Sequence, residues 1–237
     1  MNICKNCKSK VQDNYCSNCG HPQKLARING RYILSEIGSV LNFQKGIFYT
    51  IKELIIRPGQ NIKAFISEDR NRLVKPILFI LICSLAYSII IRLFHLEDGY
   101  VKFSSEEQTA ITSIFEWIQN NYGYANIIMG VFISIWIKIL FRKYDYNIFE
   151  ILILLCFIMG IGMLMFSAFG IFEGLTKYKT MNIAGLLFLA YCTWAIGQFF
   201  EKAKMINYVK ALVAYSLGLI SFTFLAIGLG LLIDLTK

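Results

Sequence analysis

The sequence predicts an all-α polytopic membrane protein with about five transmembrane helices and a small N-terminal zinc ribbon. Hydrophobic residues make up 56% of its 237 residues and charged residues only 16%, a composition too apolar for an ordinary soluble domain. Five apolar runs are long enough to cross a hydrocarbon core about 30 Å thick. Four cysteines stand near the N-terminus in two C-x2-C pairs, which is a spacing typical of zinc ligands.

The four cysteines predict one structural zinc site. Cys4 and Cys7 form the first pair, and Cys16 and Cys19 form the second. Each pair can turn two thiolates towards one centre, and four thiolates complete the tetrahedral coordination of Zn²⁺ without leaving a position for water. A segment of about twenty residues cannot build a core of its own, so metal binding should supply most of its folding free energy.

Disulfides and a redox-active C-x-x-C motif are the alternatives to a metal site. Two matched pairs favour the metal, and a thioredoxin-like motif would need a βαβ context that the sequence lacks. We interpret His21 as a bystander rather than a ligand. The other three cysteines lie inside apolar runs, where cysteine behaves as a small hydrophobic residue: Cys83, Cys156 and Cys192.

We predict three segments along the chain. They are a zinc ribbon over 1–24, cytoplasmic amphipathic helices over 25–75, and a five-helix transmembrane bundle over 76–237 that includes an external loop, 94–123. The predicted spans are 76–93, 124–141, 148–172, 181–200 and 208–233.

The distribution of charge predicts the orientation of the bundle. Thirteen lysines and arginines but five acidic residues precede position 76, whereas acidic residues dominate the loop 94–123. The positive-inside rule therefore places the N-terminus in the cytoplasm and the C-terminus outside. Reduced cysteines that hold zinc also belong in a reducing compartment. We accordingly expect a bacterial inner membrane protein that has the lipid bilayer as one partner.

The segment 25–75 is basic and amphipathic. Apolar residues recur at helical spacing over 33–41 and 47–55, and Arg57-Pro58-Gly59 then interrupts the helix, with Gly59 permitting a turn. A short helix is expected to resume through Ile62 and Phe65. We favour a platform on the inner leaflet, with helices packed on the bundle as the alternative. The candidate residues for contact with the membrane surface or a partner are Arg57, Arg70, Arg72 and Lys75.

The outer loop and the small residues of the spans have simple structural interpretations. Ser104 and Glu107 offer a capping box for a short helix on the bundle or the membrane. Small residues four apart let helices approach closely, which usually means intramolecular packing but also allows a homo-oligomer. The three pairs are Gly170 with Gly174, Ala214 with Gly218, and Ala226 with Gly230.

A resemblance can be stated on these residues. The order of the cysteine array, Arg57-Pro58-Gly59, Arg70-x-Arg72 and Pro76 resembles an uncharacterised bacterial membrane-protein family that joins an N-terminal zinc ribbon to a multi-span domain of unknown function. This chain departs from the family at Glu68-Asp69-Arg70, where Gly-Lys-Arg is common. A looser similarity, at the level of topology alone, is to Yip1-like five-span proteins. Neither resemblance implies an activity.

The sequence favours a protein that is not an enzyme. The spans hold no ionisable residue near their centres, and motifs for a metalloprotease, a serine hydrolase or a phosphate-binding loop are missing. Nucleic-acid binding is disfavoured, because the positive-inside bias already accounts for the basic residues. We expect an adaptor or scaffold whose ribbon binds a protein partner. The alternative is a transport or lipid-handling protein with the ribbon as a regulatory cap.

Overall fold

The computed structural model describes residues 2–4, 7–11, 16–19, 46–94, 96 and 109–235. The chain divides into two compact units, Met1–Asn42 and Phe43–Lys237. The first unit contains the four N-terminal cysteines. The second unit contains all the helices of the described residues, so the amphipathic helices before position 76 belong to the same unit as the long apolar ones.

The first unit is built on a short β-hairpin. Strand β1, Asn2–Ile3, pairs antiparallel with β2, Lys10–Val11. In the turn between them the Lys8 amide donates to the Cys4 carbonyl oxygen at 3.0 Å, and the Cys4 amide donates to the Ser9 carbonyl oxygen at 2.9 Å. Lys8 has a φ of 59°, in the left-handed region.

Eight helices occur in the described part of the second unit. Two short ones come first and one short one lies between the long ones: α1 Ile47–Ile56, α2 Pro58–Ser67 and α4 Ala110–Asn120. The other five are long and apolar enough to cross a membrane: α3 Pro76–Leu93, α5 Tyr122–Leu140, α6 Ile148–Thr176, α7 Met181–Glu201 and α8 Met205–Leu235. The predicted fold class is confirmed.

The third and fifth spans are longer than the sequence predicted. Helix α6 continues to Thr176, and the buried carboxylate of Glu173 in its last turn has hydrogen-bond partners. The backbone amides of Thr180 and Met181 donate to one carboxylate oxygen of Glu173 at 2.7 and 3.2 Å. Glu173 therefore ties the end of α6 to the start of α7 and contributes an acceptor for amides that have no partner within α7 itself.

Helices α1 and α2 pack against the bundle through their apolar faces. Leu54 and Ile62 are fully buried, and the Phe65 ring meets the Phe157 ring edge-on, with 5.3 Å between the ring centres. For α1 and α2 the structure therefore supports the alternative, helices packed on the bundle, because these faces belong to the protein core. The predicted helix over 33–41 lies outside the described residues. The opposite face of α1 leaves Phe48 and Ile55 about half exposed, at 47% and 56%.

The small residues of the spans serve contacts within the chain. A Cβ atom at Gly218 would lie 2.6 Å from the Ile133 Cα atom of α5. A Cβ atom at Gly230 would lie 2.9 Å from the Ile111 Cα atom of α4. Helix α8 thus approaches two other helices closely at glycines, which is the intramolecular use of small residues that the sequence favoured.

Thr109 caps the N-terminus of helix α4. The Thr109 hydroxyl accepts a hydrogen bond from the Thr112 amide. The Asp234 carboxylate, near the end of α8, accepts a hydrogen bond from the Ala110 amide at 2.8 Å. The predicted capping box of Ser104 and Glu107 lies outside the described residues. Helix α4 lies on α8, consistent with the expectation that it covers the bundle.

Substituting Asp234 by alanine is expected to loosen α4. The change leaves the Ala110 amide without its charged acceptor, and hydrogen bonds to charged groups contribute about 1.5–3 kcal/mol. Amide hydrogen exchange over 109–118 should therefore become faster, while exchange in α3 stays unchanged. An Asp145→Ala variant, which alters an exposed aspartate elsewhere, is the control. Equal protection of α4 in both variants would contradict the prediction.

Candidate metal centre and basic segment

The four N-terminal cysteines meet at one point. The Cys4 and Cys19 sulfur atoms lie 3.6 Å apart, and the Cys7 and Cys16 sulfur atoms lie 3.5 Å apart. All four sulfur atoms lie within 4.8 Å of one another. The hairpin turn positions the first pair, and Cys16 and Cys19 supply the second. Cys4 and Cys16 are buried and Cys19 is exposed.

These distances fit a tetrahedral metal site. Four bonds of about 2.3 Å to a central Zn²⁺ would place neighbouring sulfur atoms about 3.8 Å apart. A disulfide requires about 2.05 Å between sulfur atoms, so none of the four cysteines forms a disulfide. The cluster can therefore hold a metal ion with four thiolates. His21 lies outside the described residues.

The hairpin turn also favours a deprotonated ligand. The Cys7 sulfur atom lies 3.2 Å from the Ser9 hydroxyl oxygen. Hydrogen bonds from the side chain and the backbone of Ser9 lower the pKa of Cys7 to about 5. Because the thiolate is the form that binds metal, the turn supplies an ionised ligand at neutral pH.

The Arg57-Pro58-Gly59 motif joins the two short helices to α7. Arg57 has φ −145° and ψ 64°, so it ends α1, and Pro58 begins α2. The Gly59 amide donates to the Gln198 side-chain oxygen at 2.8 Å. A Cβ atom at Gly59 would lie 2.3 Å from the Phe199 backbone nitrogen. Gly59 is therefore needed for close packing on α7 rather than for a turn.

The four basic candidates have different environments. Arg57, Arg70 and Lys75 are exposed. Arg72 is half-buried, donates to the Asn61 side-chain oxygen at 2.8 Å, and lies 3.7 Å from the Glu53 carboxylate. Arg72 therefore stabilises the pairing of α1 with α2, and the exposed three remain candidates for contact with a membrane surface or a partner.

Sequence reasoning missed the polar contacts that fix α1 and α2. The Thr50 hydroxyl accepts a hydrogen bond from the Val74 amide at 3.0 Å, and the Tyr191 hydroxyl donates to the Leu54 carbonyl oxygen at 3.0 Å. Gln198 is an uncharged polar residue within an apolar run, and its sequence neighbours do not distinguish it. Its partner, the Gly59 amide, lies far away in the chain, so no local pattern could have identified the pair.

Replacing Gln198 with methionine should destabilise the chain by about 1–3 kcal/mol. Methionine has a similar shape but no oxygen to accept from the Gly59 amide, which would be left buried without a partner. Thermal unfolding in mild detergent measures the effect. Thr193→Val removes a hydroxyl that bonds only within its own helix and serves as the control. Equal melting temperatures for the two variants would contradict the prediction.

Comparison with known proteins gives one match. Residues 44–88 match a family described as "Protein of unknown function (DUF3667)". No curated protein and no solved structure matches the chain. The zinc ribbon, the Arg57-Pro58-Gly59 motif and the Yip1-like topology therefore have no support from these comparisons. The matched segment covers α1, α2 and most of α3, so the chain contains a segment similar to a family of unknown function beside apolar helices typical of a membrane protein.

Proposed function

We propose that the chain is a membrane-embedded adaptor without enzymatic activity. Its first unit, Met1–Asn42, which we call the cysteine unit, would bind zinc and dock a protein partner. The observation that supports this function is the convergence of four thiols within a separate compact unit. A site with four protein ligands shapes a surface instead of activating water. The five spanning helices would then anchor this surface at the membrane.

Zinc is the metal that suits the cluster best. Four sulfur donors in tetrahedral arrangement are typical of zinc or of iron–sulfur chemistry. Two C-x2-C pairs around a short hairpin match the ligand spacing of structural zinc sites. Purified protein should accordingly contain zinc in a molar amount close to that of the chain, without the visible absorption of an iron site.

The proposed location is a bacterial inner membrane, with the N-terminus in the cytoplasm and the C-terminus outside. The excess of basic residues before position 76 supports this orientation through the positive-inside rule. A reporter enzyme that requires export should be active when fused behind residue 235, and a fluorescent protein that folds only in the cytoplasm should stay dark there. The opposite pattern would reverse the orientation.

The adaptor function is tested by comparing partner binding in the intact chain and in a Cys16→Ser/Cys19→Ser variant. Proteins crosslinked to the chain in cells are purified in mild detergent and identified, and zinc is measured in the same samples. A specific partner lost together with zinc supports docking by the cysteine unit. The Cys156→Ser variant, which removes a thiol outside the cluster, should keep both zinc and partner. A partner retained without zinc contradicts the adaptor function.

A cavity in the second unit favours transport or lipid handling as the second candidate. It has a volume of about 420 Å³ and is lined by residues of α3, α5, α6, α7 and α8. Its lining is mostly apolar, with the tyrosines Tyr87 and Tyr215 among its polar residues. A permease should retain residual flux after removal of residues 1–22, whereas an adaptor should lose its partner. The cavity alone identifies no substrate.

A further inference from the structure

A groove runs between α3 and α5, with α6 as its floor. Its volume is about 790 Å³, and small-molecule sites in proteins typically span about 300–1,000 Å³. The lining is apolar along all three helices except for Asn126 and for Lys75, which directly precedes α3. Lys75 is the one charged residue that lines the groove in the described part of the chain. The groove therefore combines an apolar interior with a single cation.

The packing of the helices explains why the groove is open. Helices α3 and α5 meet where Gly123 faces Ser84, and a Cβ atom at Gly123 would lie 2.7 Å from the Ser84 hydroxyl oxygen. Elsewhere along the groove the two helices leave α6 between them. Gly130 of α5 adds space, because a Cβ atom there would have the Met159 sulfur, at 3.7 Å, as its one neighbour within 4 Å.

The groove is long enough to hold much of an acyl chain. Its floor on α6 extends from Phe149 to Met159, a rise of about 15 Å. Half of a hydrocarbon core of about 30 Å has the same depth. The rims carry exposed apolar side chains, with Ile77 63% and Phe149 72% exposed. In a membrane the open side of the groove would face the lipid, so an acyl chain can enter it sideways.

We propose that this groove binds an acyl chain of an anionic phospholipid, whose phosphate is contacted by the Lys75 ammonium group. The lining offers an acyl chain apolar contacts along its length and offers a polar solute almost none. A lysine stem can lie along apolar surface while its ammonium group reaches the headgroup level. A positive charge at that level favours anionic over zwitterionic lipid. The site is independent of the cysteine unit and of the adaptor function.

Photocrosslinking of the full chain tests the site. The protein is placed in phosphatidylcholine vesicles that contain a small fraction of either phosphatidylglycerol or phosphatidylcholine with a photoreactive group in the acyl chain. Labelled peptides are then identified by mass spectrometry. Phosphatidylglycerol is expected to label the groove residues of α3, α5 and α6 about fivefold more than phosphatidylcholine. Equal labelling by the two lipids would overturn the proposal, because it would show that the groove only contacts the surrounding bilayer lipid without selecting the headgroup.

Two variants test the contact with the acyl chain and the contact with the headgroup separately. Val131→Trp fills the groove from an exposed position on α5 and should reduce labelling of its walls by phosphatidylglycerol about fivefold. Val213→Trp, at a similarly exposed valine on α8 outside the groove, is the control and should change nothing. Lys75→Gln alters an exposed residue and should abolish the preference for phosphatidylglycerol while labelling by phosphatidylcholine persists. Unchanged labelling in Val131→Trp, or an unchanged preference in Lys75→Gln, would overturn the proposal.

Discussion

Substitution of Cys16 by serine is expected to abolish zinc binding and unfold the cysteine unit. Cys16 is the most buried of the four thiols, with 2% of its surface exposed. A structural zinc site contributes about 10–16 kcal/mol of binding free energy, which in small units is also the folding free energy. A hairpin with two residues in each strand cannot replace that contribution by burying apolar surface.

Metal analysis and limited proteolysis measure this effect in the full chain. Zinc content should fall from about one ion per chain to near zero, and cleavage within 1–42 should become rapid while the rest of the chain stays intact. The control is Cys156→Ser, which should keep zinc and resistance to proteolysis. A Cys16→Ser chain that retained its zinc would show that the four thiols do not form one site.

The cysteine site could be predicted from sequence because its signal is local. Two C-x2-C pairs specify which atoms converge, and the separations between the sulfur atoms agree with that expectation. The contribution of Ser9 could not be predicted in the same way. Its effect on the pKa of Cys7 depends on a turn in which Lys8 adopts a left-handed conformation, and nothing in the residue type of Lys8 indicates it.

The five spans were predictable for the same reason, since each is a continuous apolar run. The placement of α1 and α2 was not, because amphipathic helices look alike in sequence whether their apolar face meets lipid or protein. In the structure, the hydrogen bond from the Gly59 amide to the Gln198 side chain holds α2 against α7, so the apolar faces meet protein. The sequence around each residue gives no sign of this contact, because the two residues are far apart in the chain and meet only after folding.

Substitution of Gly59 by alanine is expected to be among the most damaging single changes in the second unit. The new Cβ atom would lie 2.3 Å from the Phe199 nitrogen, 2.6 Å from the Gln198 carbonyl carbon and 2.8 Å from the Ala195 oxygen. These are backbone atoms of α7, so no side chain can rotate away, and α2 must move off α7. Overpacking typically costs about 1–3 kcal/mol and occasionally more, and the loss of the 2.8 Å hydrogen bond to Gln198 adds to it.

Thermal unfolding in mild detergent should show a melting temperature about 10 °C lower for the Gly59→Ala variant. The matched control is Gly228→Ala on α8, where a Cβ atom would meet nothing within 4 Å. That change removes a glycine from a helix interior and should be neutral or stabilising by about 0.5–1 kcal/mol. If the two variants had the same melting temperature, the contact between α2 and α7 would not hold the short helices to the bundle. A lower melting temperature for Gly59→Ala alone would establish Arg57-Pro58-Gly59 as a packing motif, in which Pro58 begins the helix and Gly59 allows the close approach of the α7 backbone.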